Sequence, residues 1–298
     1  MGRETLLTLL LLIFGGLTMQ PFMLLPEWRS VCVSSVVAER RAWRRLWLPV
    51  VPMLIVSAGL CGWALREPDP VRARFDHGML IAASLPFAVL ALRAALRAGW
   101  ALLREPLELP ICTVGLWRPR IVFDPYLARI LGEAQVHAAM EHERAHARHR
   151  DPLRIWLAQL ATDVQWPWPW AARRFEAWLE LLEHARDDEA RRLGASGAEL
   201  AAAVVATARH VRRPPGGARA AWMLDGRAAL LGDAHALAQR VQRLLAPMPD
   251  ASRVPLTWPR RDQATLTLIP IALAAALLLG ALFGNAVLHP FLLWTWNA

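Results

Sequence analysis

"EHERAHARHRDP", residues 141–152, sets three histidines, three arginines and two glutamates within twelve positions. Two readings compete for it: a solvated basic helix, or a helix that binds a metal. His142-Glu143-Arg144-Ala145-His146 fits the H-E-x-x-H pattern, in which histidines four apart project from one helical face and can share an ion. Neutral imidazole suits zinc, which in hydrolytic sites takes three protein ligands and a water. Glu143 then stands beside that water, placed to take its proton as the metal lowers the water's pKa. Alone, the pattern is only moderately specific, so the third ligand decides between the readings.

A metzincin-type third histidine is excluded, because His149 stands where that motif needs glycine and Pro152 where it needs histidine. The alternative is a glutamate on a second helix. Glu176 and the stretch "WLELLEHARDDEA" (178–190) offer Glu176, Glu180, Glu183 and Glu189 as candidates. Glu183 and Asp187 form an E-x-x-x-D pair on one face, where the glutamate could complete the ion's shell and the aspartate could hold a ligand histidine by its second nitrogen. The competing reading is a solvated acidic face balanced by Arg174, Arg186 and Arg191. His149, flanked by Arg148 and Arg150, reads as an exposed or supporting histidine. His184 adjoins Glu183, but neighbours in sequence do not share a helical face. A group that stabilises a developing oxyanion is expected opposite Glu143, with His210 or a nearby arginine as candidates.

Around these stretches the chain is hydrophobic in blocks. A spanning helix needs about 20 mostly apolar residues, and 5–25, 46–65, 78–99 and 266–288 are read as four spans. Arg3 and the leucine run after it suit a signal peptide. However, no A-x-A-like cleavage site precedes Pro21 and further apolar blocks follow, so 5–25 is read as a span. There is no lysine, and all 34 basic residues are arginine against 25 acids. Arg29, Arg40, Arg41, Arg44 and Arg45 crowd the first connection, whereas Arg72 and Arg74 in the second are offset by Glu67, Asp69 and Asp76. Arginine bias therefore puts the first connection and the long segment after the third span in the cytoplasm, with both termini outside. Arg93, Arg97 and Arg104 share a helical face and are expected to reach lipid headgroups. Cys32, Cys61 and Cys112 suggest neither a disulfide framework nor a zinc knuckle. The basic excess lies largely beside apolar blocks, so direct nucleic-acid binding is not expected.

The organisation expected is therefore 1–99 with three spans, a cytoplasmic insert over 100–263, and 264–298 with the fourth span and a short outer tail. The insert opens with "LELPICTVGLWRPRIVFD" (107–124), two β-branched runs separated by Gly115 and Pro119 that predict a short hairpin. Its edge could receive an extended peptide, or it is a plain structural hairpin. Helices are predicted over 127–150, 153–164, 171–193, 199–212 and 228–245. "WPWPW" (166–170) excludes a regular helix and suits contact with a membrane surface. The fold class predicted is mainly α.

"GLWRPRIVF" (115–123), "EHERAHARHRDP" (141–152) and "ELLEHARDDEA" (180–190), with the order of spans, resemble the β-lactam sensor-transducer (BlaR/MecR-type) membrane zinc metallopeptidases over nearly the whole chain. The resemblance implies a gluzincin-like domain with one zinc ion held by His142, His146 and Glu183. Glu143 would be the general base and Asp187 the outer partner of a ligand. It also implies a multi-pass protein of a bacterial-type inner membrane that cleaves a cytosolic regulator, such as a transcriptional repressor, or itself. Two departures stand out. Arg186 replaces the cysteine that often precedes the aspartate in that family. Only about ten residues follow the last span, so the penicillin-binding sensor domain is expected to be missing and the signal to come from a separate sensor protein or the membrane helices. Two further readings are a quality-control or prenyl-protein-type membrane zinc peptidase, and a non-catalytic adaptor with a structural zinc. Glu143 disfavours the adaptor, since a structural site has no use for a base there.

Overall fold

A computed structural model describes residues 34–51, 92–100, 111–123, 129–166, 169–211, 234–248 and most of 271–283, with isolated positions between 54 and 89 and at 286. Its elements are α1 (Ser35–Trp47), β1 (Ile111–Val114), β2 (Arg120–Phe123), α2 (Glu133–Arg148), α3 (Asp151–Asp163), α4 (Pro169–Arg192), α5 (Gly197–Val211) and α6 (Ala234–Leu245). The architecture is mainly helical with one two-stranded antiparallel sheet.

The predicted hairpin forms with Ile111 opposite Phe123 and Thr113 opposite Ile121. Its turn depends on Gly115, whose φ is 92° and where an added Cβ would lie 2.7 Å from the Arg118 carbonyl oxygen. The helix carrying the histidines starts after Gly132, whose N–H donates to the Gln135 side chain at 3.3 Å. That helix ends at Arg148 with His149 as its cap, and Arg150 takes a left-handed conformation with φ 51°. That turn, unusual for a residue with a Cβ, folds the chain back so that α3 begins with Asp151 and Pro152. Proline is tolerated in a first helical turn because its missing N–H would have had no partner. α4 starts at Pro169, and Gly194 (φ 103°) follows its end.

Three apolar clusters hold these elements. Trp43 and Leu46 of α1 pack with Ala158 of α3 and with Phe175, Trp178, Leu179 and Leu182 of α4. Ala138 and Ala190 meet Leu200, Ala201 and Val204 of α5 and Leu244 of α6. Ile111 packs with Leu131, Ala139 and Ala203, fixing the hairpin against α2 and α5. The stretch read from sequence as the connection between the first two spans thus contributes a helix to the core.

The predicted span 5–25 lies outside the described residues, as do parts of 46–65, 78–99 and 266–288. Among the described residues no helix is long and apolar enough to cross a membrane. Within these segments, an added Cβ at Gly62 would lie 1.9 Å from the Leu277 carbonyl oxygen, and one at Gly280 would lie 1.9 Å from that of Gly59. The two segments therefore meet backbone to backbone. Arg93 and Arg97 do not reach outward as the sequence suggested. They pair with Asp163 at 3.0 and 3.1 Å, because that carboxylate is buried and an unpartnered buried charge is costly.

Candidate metal centre

One turn of α2 brings His142 and His146 together, with ring centroids 4.7 Å apart and planes at 78°. Ala138, Ala139 and Ala145 line the same helix and are buried, which lets α4 and α5 approach closely. α4 lies across this face and presents Glu183. Among the described residues, His142, His146 and Glu183 form one buried group that could hold a metal ion. The two Nε2 atoms are 3.1 Å apart. The nearest Glu183 oxygens lie 3.3 Å from His142 Nε2 and 3.5 Å from His146 Nε2.

These edges fit an ion. Tetrahedral coordination at about 2.0–2.1 Å places ligand atoms roughly 3.3 Å apart. The backs of the rings support the same conclusion. His146 Nδ1 is 2.7 Å from Asp151 Oδ2, and His142 Nδ1 is 3.0 Å from Asp187 Oδ1. A proton on each Nδ1 faces a carboxylate and leaves both Nε2 lone pairs turned toward each other and Glu183. Such an arrangement calls for a positive charge between them. Burial opposes charge on His142, yet Asp187 and Glu183 raise its pKa to about 9. Without an ion, a proton fills that demand.

Both supporting carboxylates are themselves anchored. Burial works against ionised Asp151, but the Arg186 guanidinium and His146 hold it well below the ordinary carboxylate range. Arg186 Nε and Nη2 donate to its two oxygens at 2.5 and 2.9 Å. Burial likewise opposes ionised Asp187, and Arg240 and His142 keep it deprotonated. Arg240 of α6 donates from Nε and Nη2 to Asp187 at 2.8 and 2.7 Å. Its Nη1 lies 3.0 Å from Glu183 Oε2, and its Nη2 is 3.4 Å from His142 Nε2.

Glu143, next along α2, is also buried. Thr113 of β1 sets its carboxylate: the hydroxyl oxygen is 2.7 Å from Glu143 Oε2 and 2.9 Å from the Glu143 carbonyl oxygen. Its single hydrogen serves one acceptor at a time.

Five residues named from sequence thus converge: His142, Glu143, His146, Glu183 and Asp187. Glu189 instead receives Arg148 and His149 at 2.9 and 2.8 Å, so His149 supports α4. The His210 side chain lies outside the described residues. Sequence reasoning missed Thr113, Asp151, Arg186 and Arg240 as members of the site. Asp151 carried a signal, a carboxylate just after the second histidine at a helix break. Thr113 and Arg240 carried none, because each reaches the site through tertiary packing. Comparison with known protein families, curated proteins and solved structures finds no match to this chain.

Proposed function

We propose that this chain is a membrane-embedded zinc metalloendopeptidase of the BlaR/MecR type, which cleaves a cytosolic regulator such as a transcriptional repressor, or itself. The observation that carries the reading is the buried His142–His146–Glu183 triangle with Glu143 on the same helix and a carboxylate behind each imidazole. Two imidazoles and a carboxylate suit zinc, and three protein ligands leave a place for water, whereas structural zinc sites close with four. A zinc ion bound there supplies Lewis acidity and lowers the pKa of a coordinated water.

The chain's own residues supply the remainder. Glu143 takes a proton from the attacking water and returns it to the departing amine. Thr113 fixes which Glu143 oxygen faces that water. Asp151 and Asp187 keep both Nδ1 atoms protonated and both Nε2 atoms free to ligate. Arg240, 3.0 Å from Glu183 Oε2 and 3.4 Å from His142 Nε2, brings positive charge beside the ligands and is the group proposed to stabilise a developing oxyanion.

Membrane residence rests on the four apolar blocks and on what flanks them. Leu92, Leu96, Leu278, Leu279 and Phe283 are each more than half exposed, a pattern suited to lipid. Trp166 and Trp170 are about half exposed and suit an interfacial belt. Arginine placement orients the catalytic domain to the cytoplasm and both termini outward. The test is zinc content and repressor- or self-cleavage in Glu143→Gln against wild type. Glu143→Gln is expected to keep zinc and lose cleavage by about a hundredfold or more. Cleavage at the wild-type rate by this variant sinks the reading.

A further inference from the structure

α1 carries four arginines and a single acid, Glu39, and that acid is only 2% exposed. Burying a carboxylate in a core is costly unless it is paired, and an apolar residue would serve packing alone as well or better. Glu39 Oε1 accepts from Arg154 Nη2 at 2.5 Å and from Trp178 Nε1 at 2.8 Å. The Arg154 guanidinium also lies over the Trp43 ring, 4.8 Å from its centroid. Held there by α1 and α4, Arg154 donates from Nη1 to Asp151 Oδ1 at 3.0 Å. The other Asp151 oxygen faces His146 Nδ1 at 2.7 Å. A continuous line of charged and polar contacts thus runs from α1 to the back of a ligand ring.

We propose that Glu39 and Arg154 are positioning residues for His146, so that α1 belongs to the metal centre together with α2 and α4. The proposal rests on the metallopeptidase reading and extends it. Asp151 shares its negative charge among Arg154, Arg186 and His146. While Glu39 holds one side of Arg154, less of that arginine's charge falls on Asp151, and Asp151 is the stronger acceptor for the imidazole N–H. A stronger acceptor raises the basicity of the opposite ring nitrogen and fixes the ring's direction. Removal of the Glu39 charge gives Arg154 over to Asp151 and weakens His146 as a ligand.

The experiment uses the full-length chain in detergent micelles. Zinc affinity is read by competition with a chromophoric chelator, and ligand geometry by visible absorption of the cobalt(II)-loaded protein. Glu39→Gln keeps the acceptor oxygen and removes the charge. It is expected to weaken zinc binding roughly threefold to tenfold and to change the cobalt spectrum, below the 10- to 100-fold loss expected for Asp151→Asn, a direct partner of the ligand. The double variant is expected to bind like Asp151→Asn alone, because both act through His146. A folded Glu39→Gln protein with wild-type affinity and cobalt spectrum overturns the proposal, as do losses that multiply in the double variant. Should Glu39→Gln not fold, Arg154→Lys, which keeps the charge and loses the fork, is subject to the same two outcomes. A wild-type chain that binds no zinc overturns both this proposal and the metallopeptidase reading. One that binds zinc and cleaves while Glu39→Gln is indifferent overturns this proposal alone.

Discussion

His142 is where the charge balance of the site can be measured. Its pKa near 9 without a metal lies above the ordinary histidine value of about 6.5. A raised value means that its contribution to stability is fully present below the ordinary pKa and is lost as pH rises through about 9. The metal-free protein is therefore expected to lose stability from near neutrality toward pH 9, measured as melting temperature in excess chelator. Binding of an ion must displace that proton, so zinc affinity should rise about tenfold per pH unit from 7 to 9. An affinity flat over that range removes the proton–metal competition. Thr113 makes a separate prediction. Thr113→Val keeps the side-chain shape and deletes the hydroxyl that meets Glu143 Oε2 at 2.7 Å. A hydrogen bond to a charged group contributes about 1.5–3 kcal/mol, so kcat should fall at least about tenfold while zinc content stays at wild type. Loss of zinc in this variant would mean that Thr113 supports the ligands and not the base.

Among the elements, the hairpin is the one whose geometry depends most on one residue. Gly115 has φ 92°, and an added Cβ would sit 2.7 Å from the Arg118 carbonyl oxygen. Gly115→Ala should destabilise the protein by about 1–3 kcal/mol and lower kcat through Thr113, two residues back along β1. An unchanged melting temperature would contradict this. The helices themselves were largely legible in the sequence, since apolar periodicity, Gly194 and Pro152 mark their limits, although Pro169, read with its neighbours as excluding a helix, opens α4. The His142/His146 pairing was equally legible, being a property of one helix. What one segment cannot disclose is which distant group answers it. Asp151 reaches His146 only because Arg150 adopts a left-handed turn. Arg240 arrives from 53 residues beyond Asp187. α1 read as a cytoplasmic basic connection because Glu39 and Arg40 look like solvent-facing residues until their buried surroundings are known. Its apolar face, with Trp43 and Leu46, was there in the pattern.

At the scale of the whole molecule, the close approach of Gly59 and Gly62 to residues 276–281 bears on the proposed membrane residence. Small residues face the partner backbone at Gly62 and Gly280, while Leu278, Leu279, Leu282 and Phe283 are turned outward. In water that arrangement exposes its largest side chains and buries its smallest. In a bilayer it is favourable, because lipid solvates the leucines and close backbone approach provides the helix–helix attraction. The glycines then differ in a testable way. Gly280→Ala and Gly62→Ala each place a methyl 1.9 Å from a carbonyl oxygen, whereas Gly59→Ala places one at an ordinary 3.5 Å from that of Ala276. The first two should destabilise the detergent-solubilised chain by about 1–3 kcal/mol, and Gly59→Ala should behave as wild type in thermal melts. Reporter fusions test the proposed orientation, which expects a cytoplasmic signal after Leu25 and external signals after Arg66 and after Ala298. Equal melting temperatures for all three glycine variants would remove the close crossing, and an external reporter after Leu25 would put the metal centre on the wrong side of the membrane for a cytosolic substrate.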